Sequence, residues 1–168
     1  QKDTSWLLYM KHLFEKNFGV SGKISKHVND TEILRINNKT FVQKLLELSE
    51  MKIPQENWNT PSVIKRLNNK FQISYLSGFF DAEGGLPKDP QNAKQKYVSF
   101  SQKNRESLEF IRKILLKNDF RPTNITFCGG IWEFRITRKL DMIKFCDFVG
   151  GSHSDKIRRL KLLKSGCF

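Results

Sequence analysis

The chain contains an internal repeat, and this repeat limits the folds that the sequence can adopt. Residues 1–24 align with residues 102–125, and residues 33–48 align with residues 133–148 after a one-residue gap. Identical residues at corresponding positions include Arg35 and Arg135, and Ile36 and Ile136. Each copy has the pattern of a helix, then a hairpin, then a second helix. The sequence therefore predicts two structurally related halves.

The second copy shows this pattern most clearly. Leu108, Ile111 and Leu115 recur at helical spacing. Residues 129–130 are both glycine and separate two alternating runs, which predicts a two-residue hairpin turn. A helix is predicted at residues 139–149, matching another at residues 39–49. In the second hairpin strand one face is expected in the core and the other in solvent: the apolar set is Trp132, Phe134 and Ile136, and the polar set is Glu133, Arg135 and Thr137.

The charge of the chain narrows its function. The 168 residues include 30 Lys and Arg against 17 Asp and Glu, a net charge of +13, which favours a polyanionic partner such as nucleic acid. No apolar run reaches membrane-spanning length and no signal segment opens the sequence, so no membrane partner is expected. Three cysteines without CxxC spacing indicate neither a disulfide framework nor a zinc ribbon. An intracellular location, in the cytoplasm or an organelle, fits this best.

Between the two copies lies the stretch YLSGFFDAEGG, residues 75–85. It lacks strand alternation, and Gly78 and Ala82 are four residues apart, on one face of a helix that a second helix could approach closely. Gly84 is expected to end this helix in the left-handed conformation. Glu83 would then lie at the negative end of the helix dipole, where a bound divalent cation is favoured.

At these residues the sequence resembles the LAGLIDADG homing endonucleases, because LSGFFDAEG, residues 76–84, fits their nine-residue signature position by position. The resemblance implies an α+β fold of αββαββα units, with motif helices paired at a pseudo-twofold axis and antiparallel sheets that bind DNA. It implies that Glu83 and the backbone of Gly84 hold Mg²⁺ or another divalent cation. Gln102 would help to order water in the active site.

The resemblance leaves two further assignments at the motif. Asp81 falls on a position that is often acidic but not the essential ligand, and a capping or inter-helix contact explains it better. The basic residue of the water network could be His153, Lys156 or Arg158, and Lys156 is preferred.

Basic and polar residues near the predicted strands are expected to contact DNA, with an ordinary solvated face as the alternative. The candidates are Lys23, Lys26, Arg35, Lys88, Lys94, Lys96, Ser99, Arg135, Arg138 and Lys139.

The repeat also predicts which part of the fold the first copy lacks. If Gln1 corresponds to Gln102, the first motif helix and its hairpin would lie about thirty residues upstream. Residues 1–60 are therefore expected to be an incomplete first repeat with its connector, and residues 61–168 a complete second repeat. A second copy of the chain, or a separate N-terminal segment, would supply the other motif helix.

The connector offers two more expectations. Thr60 is predicted to cap a helix whose first residue is Pro61. The dipeptides IP and TP, followed by a helix that leads into the motif, are similar to the intein-type branch of the family.

The expected function is metal-dependent hydrolysis of double-stranded DNA at a specific site, with this chain as part of the active enzyme. The cation would bind the scissile phosphate and lower the pKa of the attacking water. Two alternatives stay open: an RNA maturase of the same fold, and a degenerate DNA-binding protein that does not cleave. Metal-dependent nicking of duplex DNA, compared with binding to structured intron RNA, distinguishes the three.

Overall fold

The structure is a computed structural model that describes residues 3–51 and 59–167. The chain divides into two compact units, Gln1–Leu48 and Ser49–Phe168, which are called unit 1 and unit 2. Both contain helices and antiparallel strands, so the predicted α+β class is confirmed. Gln1, which was predicted to correspond to Gln102, lies outside the described residues, as does most of the connector. None of the described helices is long and apolar enough to cross a membrane.

The predicted order of helix, hairpin and helix is present in both units. In unit 1 the elements are α1 (Thr4–Phe18), β1 (Lys23–Lys26), β2 (Glu32–Arg35) and α2 (Lys39–Ser49), the last ending one residue beyond the unit. In unit 2 they are α3 (Ser62–Arg66), α4 (Asn69–Glu83), β3 (Gly84–Gly85), β4 (Val98–Gln102), α5 (Arg105–Lys117), β5 (Thr126–Cys128), β6 (Ile131–Ile136), α6 (Lys139–Phe148) and α7 (Ser154–Ser165).

Equivalent helices in the two units begin with the same capping contact. The Asp3 side chain accepts a hydrogen bond from the Trp6 backbone N–H at the start of α1, and Asn104 accepts one from Ser107 at the start of α5. Asp3 and Asn104 are corresponding residues of the repeat. The sequence alignment therefore reflects a shared local structure.

Unit 2 contains a four-stranded antiparallel sheet in the order β3, β4, β6, β5. Gly129 and Gly130 form the two-residue turn between β5 and β6 with φ of 60° and 83°, which confirms the predicted hairpin. Phe134 and Ile136 of β6 are buried while Arg135 between them is not, as the alternation predicted.

The core of unit 2 lies between the helices and one face of this sheet. Leu108, Ile111 and Leu115 of α5 are fully buried, as their helical spacing predicted. Phe100 of β4 stacks on Phe134 of β6 with ring centroids 5.1 Å apart. These contacts fix the sheet against the helices and so position the strand that follows α4.

Three boundaries differ from the sequence predictions. Helix α3 begins at Ser62 with Pro61 as its extended N-cap, whereas Thr60 is buried and accepts a hydrogen bond from the Tyr75 hydroxyl, 3.4 Å away. Helix α4 begins at Asn69, six residues before the stretch 75–85 in which a helix was expected. Gly84 is extended, with φ of −79°, because the chain passes directly into β3, where Gly84 pairs with Phe100. The left-handed cap predicted for Gly84 was therefore wrong.

Candidate active site

The site is built around the end of α4, where Glu83 is the last helical residue and Gly84 opens β3. Asn68 starts the helix by accepting a hydrogen bond from the Phe71 N–H, 3.3 Å away. One face, with Gln72, Leu76 and Phe80, is buried in unit 2. Packing of this face fixes the orientation of α4 in unit 2 and therefore the position of Glu83 at its C-terminal end.

The opposite face of α4 is open. Phe71, Ser74, Gly78 and Ala82 are all exposed, and a Cβ atom added at Gly78 would meet no heavy atom within 4 Å outside the local helix backbone. The helix itself is confirmed, but no helix among the described residues buries Gly78 and Ala82. The expected partner of this face remains a prediction.

Asp81 binds the N-terminal end of α7. Its Oδ2 accepts the Ser152 N–H at 2.7 Å, and its Oδ1 accepts the His153 N–H at 3.2 Å. Those N–H groups precede the first turn of α7, where the helix dipole favours a negative charge. Asp81 thus joins α4 to α7, the inter-helix contact that the sequence analysis favoured over a ligand role.

Lys156 of α7 reaches back to the end of α4. Its Nζ donates to the carbonyl oxygen of Phe80 at 3.1 Å and to that of Gly84, and it lies 4.8 Å from the centroid of the Phe80 ring. Burial lowers the pKa of Lys156, and the nearby charge of Asp81 partly opposes this effect. The ammonium group of Lys156 therefore lies beside Glu83 and Gly84, the two candidate metal ligands.

The other two basic candidates take different positions. Arg158 is mostly exposed and donates to Asp155 at 2.7 Å, within α7 itself. His153 contacts Asp81 through its backbone N–H, before α7 begins. Of the three, Lys156 is the residue whose side chain binds the α4 end.

Arg159 was missed in the sequence analysis. One guanidinium nitrogen, Nη2, donates to the carbonyl oxygens of Leu86 and Pro87, each at 2.8 Å. Its Nη1 lies 3.7 Å from Asp155 Oδ2. The spacing of three residues between Lys156 and Arg159 puts both on one face of α7, a signal the sequence did contain.

Together, Asp81, Lys156 and Arg159 clamp the segment 80–87 onto α7, and we call these three residues the α7 clamp. Glu83 lies inside this segment and is partly buried, and its carboxylate makes no hydrogen bond or ion pair within the described residues. Its neighbours are fixed, while its own carboxylate attracts the charge of Lys156 without a hydrogen bond to it. This arrangement suits a carboxylate that binds a ligand from outside the chain.

Gln102 lies at the end of β4, two residues beyond the partner of Gly84. Its side chain is buried, and its Oε1 accepts the Lys103 backbone N–H at 2.7 Å. Because side chains alternate along a strand, Gln102 projects from the same face as Phe100, which pairs with Gly84. The structure thus brings Gln102 to the side of the sheet that packs against α4.

The donor set at the α4 end suits a hard divalent cation, because the Glu83 carboxylate and the Gly84 carbonyl are oxygen donors. Gly84 also accepts from Lys156 and has a second lone pair. Over residues 3–51 and 59–167, no group of three His, Cys, Asp or Glu side chains is placed to hold a metal. The Glu83 carboxylate and the Gly84 carbonyl therefore fit a part of the ligand set of such a cation.

Arg135 occupies the centre of the polar sheet face. Its guanidinium lies 4.6 Å from the centroid of the Tyr97 ring, and its Nε donates to Glu133 Oε1. That hydrogen bond raises the pKa of Arg135, so the side chain stays charged. Ser99 pairs with Arg135 across the strands but is only 8% exposed and faces Gly85, so a direct DNA contact through Ser99 is not supported.

The remaining basic candidates are mostly at the surface. Lys96 is partly buried and donates to the Ala93 carbonyl at 3.1 Å. In unit 1, Lys23 and Arg35 face each other across β1 and β2, and Lys26 pairs with Glu32. The exposed candidates are Lys23, Lys26, Arg35, Lys88, Lys94, Arg138 and Lys139.

The chain is similar to known proteins in sequence. Residues 70–127 match the family model described as a LAGLIDADG-like domain. Homing endonuclease I-ApeI from Aeropyrum pernix is 33% identical over 119 residues, which are 70% of this chain and 51% of that protein. A glutamine–fructose-6-phosphate aminotransferase of Methanocaldococcus jannaschii is 32% identical over 158 residues, 90% of this chain but 14% of that protein. The chain thus spans about half the length of the first relative and a small part of the second.

The chain is also similar to solved structures. I-DmoI in complex with DNA and Mn has a TM-score of 0.64 at 23% identity, covering 91% of this chain and 79% of that chain. I-DmoI in complex with DNA and Ca has a TM-score of 0.68 at 20% identity, covering 96% and 80% respectively. These matches show that the chains share a fold, which confirms the predicted architecture.

Proposed function

We propose that this chain, which belongs to the LAGLIDADG family, supplies one half of the active site of a metal-dependent endonuclease that hydrolyses double-stranded DNA. The name of I-ApeI and the complexes of I-DmoI with DNA and divalent metals support this proposal. The aminotransferase activity named for the second relative is not proposed, because the match covers one seventh of that protein.

The observation that most strongly supports this proposal is the α7 clamp around Glu83. Asp81, Lys156 and Arg159 hold the backbone on both sides of a carboxylate that makes no hydrogen bond or ion pair among the described residues. A fixed backbone beside an unengaged acid is the preorganisation that a ligand site needs.

Glu83 and the Gly84 carbonyl would hold the cation, and Mg²⁺ is the ion we propose. When bound, such an ion polarises a scissile phosphate and lowers the pKa of a water molecule. The buried ammonium of Lys156 favours negative charge at this place, and its lowered pKa makes proton exchange easier than for a surface lysine. Gln102 would hydrogen-bond and orient water nearby.

A second motif helix completes the site in this proposal. The exposed small face of α4, with Gly78 and Ala82, lets another helix approach closely and bring a second acid beside Glu83. A second copy of the chain or a separate N-terminal segment would supply it. The incomplete ligand set at Glu83 is consistent with this requirement.

The test is cleavage of duplex DNA by the assembled enzyme, comparing Glu83→Gln with the parent protein in Mg²⁺. The amide keeps the shape of the side chain and removes its charge, so cleavage should fall by about 100-fold or more. Binding to DNA should be retained, because removing a negative charge beside a polyanion does not weaken attraction.

The matched control is Asp147→Asn, which removes an exposed carboxylate on α6. It should cleave at the parental rate. Parental cleavage by Glu83→Gln would show that this carboxylate is not a ligand and would refute the proposal.

A further inference from the structure

A cluster of two aromatic rings, tilted by 50° to each other, and one guanidinium lies at one end of the sheet in unit 2. The Arg105 guanidinium is 4.9 Å from the centroid of the Trp132 ring, and the Phe127 ring is 4.8 Å from Trp132 on β6. Phe127 belongs to the edge strand β5 and is 60% exposed. Glu109 holds Arg105 in place through an ion pair of 2.8 Å. We call Arg105, Trp132 and Phe127 the aromatic stack.

The repeat shows that the fold does not require aromatic residues at this place. Lys26 and Glu32 of unit 1 occupy the hairpin register that Phe127 and Trp132 occupy in unit 2. Thr4, which corresponds to Arg105, donates a hydrogen bond to Glu32. Unit 1 thus builds the same hairpin with a polar cluster, so folding alone does not account for the exposed ring of Phe127.

The open surface of Phe127 suits one class of ligand. Its ring packs beside Trp132, which in turn contacts Arg105, and 60% of the Phe127 side chain remains exposed. Nucleic-acid bases stack on such rings whatever their identity. The bases of an intact duplex are stacked on one another and are not available, so the ligand must contain an unpaired base.

The position of the stack points to DNA as the source of that base. Trp132 and Arg135 lie three residues apart on β6 and therefore on opposite faces of the sheet. The three-residue strand β5 is the edge between the polar face and the aromatic side. A strand that leaves a duplex bound at Arg135 could pass around this short edge to reach Phe127.

We propose that the aromatic stack binds an unpaired base of single-stranded DNA on the exposed surface of Phe127. The proposal rests on the proposed function, in which the polar face binds duplex DNA. The exposed, charged Arg105 adds attraction for the phosphate backbone. The binding itself needs neither a metal nor cleavage.

The experiment measures binding of the whole chain to labelled single strands by fluorescence anisotropy, using about 15 thymidines. Phe127→Ala should weaken this binding roughly 5- to 150-fold, the loss expected for one stacked base. Phe127→Trp should restore it, because it keeps a stacking surface. Phe148→Ala is the matched control, since Phe148 is another exposed phenylalanine, on α6, and its removal should leave binding within about two-fold.

The other arms separate this proposal from its alternatives. Parental single-strand affinity in Phe127→Ala, or an equal loss on intact duplex DNA, would overturn it. If Phe127→Ala loses more affinity for uridine strands than for thymidine strands, the unpaired base does not come from DNA. If the alanine variant folds poorly, Phe127→Thr serves, because threonine is favoured in strands. Glu83→Gln should bind single strands normally, so failure of one proposal is distinct from failure of the other.

Discussion

At the residue scale, the burial of Cys146 should make the stability of the folded chain depend on pH. The thiol donates to the Leu160 carbonyl at 3.5 Å, and burial raises its pKa from 9.0 to about 11, with the charge of Asp147 acting in the same direction. Between these two values the unfolded chain has lost the thiol proton while the folded chain keeps it. The free energy of unfolding should therefore fall as pH rises from 9 towards 11.

Cys146→Ser tests this point, because serine keeps a hydrogen-bond donor and does not ionise in this range. Urea unfolding at about pH 8 and about pH 10.5 should show a smaller loss of stability in the variant than in the parent. Lys156 acts in the opposite direction, since its lowered pKa makes the folded chain more stable as pH rises, but both proteins share it. An identical loss in both would contradict the assignment to Cys146.

Single residues also show what the sequence could predict at the site. The positions of Asp81 and Glu83 near the end of a helix could be predicted, because the course of a helix and its end depend on residues that are close in sequence. The contacts of Arg159 and the burial of Ser99 depend on segments that are distant in sequence. Arg159 of α7 binds the residues that follow β3, and Ser99 of β4 pairs with Gly85 of β3. Spacing along the sequence places Arg159 on the same face of α7 as Lys156, but it does not show which segment that face contacts.

At the element scale, Gly78 within α4 and Gly84 at the start of β3 have opposite expected behaviour. A Cβ atom at Gly84 would lie 2.5 Å from the Phe80 carbonyl oxygen and closer still to the Phe80 ring, where the fixed backbone cannot move away. At Gly78 the corresponding space is empty. Gly84→Ala should therefore cost about 1–3 kcal/mol, whereas Gly78→Ala should gain about 0.5–1 kcal/mol from helix propensity.

Chemical denaturation of the two variants measures this difference directly. The two variants are well matched, because the same substitution is made at two positions of one motif. A stable Gly84→Ala variant would mean that close approach is not the reason for glycine there. Loss of stability in Gly78→Ala would mean that the exposed face of α4 is already covered in the isolated chain.

Elements differ in how well the sequence predicted them. The β5–β6 hairpin and α5 were predicted because the Gly129–Gly130 turn and the helical spacing of α5 are local signals. The two-residue strand β3 was not, because its pairing with β4 depends on a partner more than a dozen residues away. That same pairing explains why Gly84 is extended and not left-handed.

At the scale of the whole molecule, the two units differ in how far they bury their apolar side chains. Among the described residues of unit 1 the buried hydrophobic side chains are Leu7 and Val20, and α2 buries none. In unit 2, α4 and β4 pack against α5 and cover its apolar face. The repeat predicts an equivalent helix and hairpin to cover α1, and that segment stays a prediction.

The net charge of the chain gives the last prediction. With +13 overall, the affinity for duplex DNA should fall steeply as salt rises from about 50 to 200 mM, because each phosphate contact releases a counterion. Arg135 is a strong candidate for such a contact, since Tyr97 and Glu133 hold its guanidinium in place and its raised pKa keeps it charged. Arg135→Ala should weaken binding and reduce the slope of log affinity against log salt by about 1.

Lys113→Ala is the matched control, because it removes one positive charge from α5, which packs on the opposite face of the sheet. The distance between the two faces and screening by salt should leave its slope close to that of the parent. If both variants reduce the slope equally, the attraction is a property of total charge and the polar face has no special part in it. If neither does, the duplex lies on another surface, and the path proposed from Arg135 to Phe127 is wrong as well.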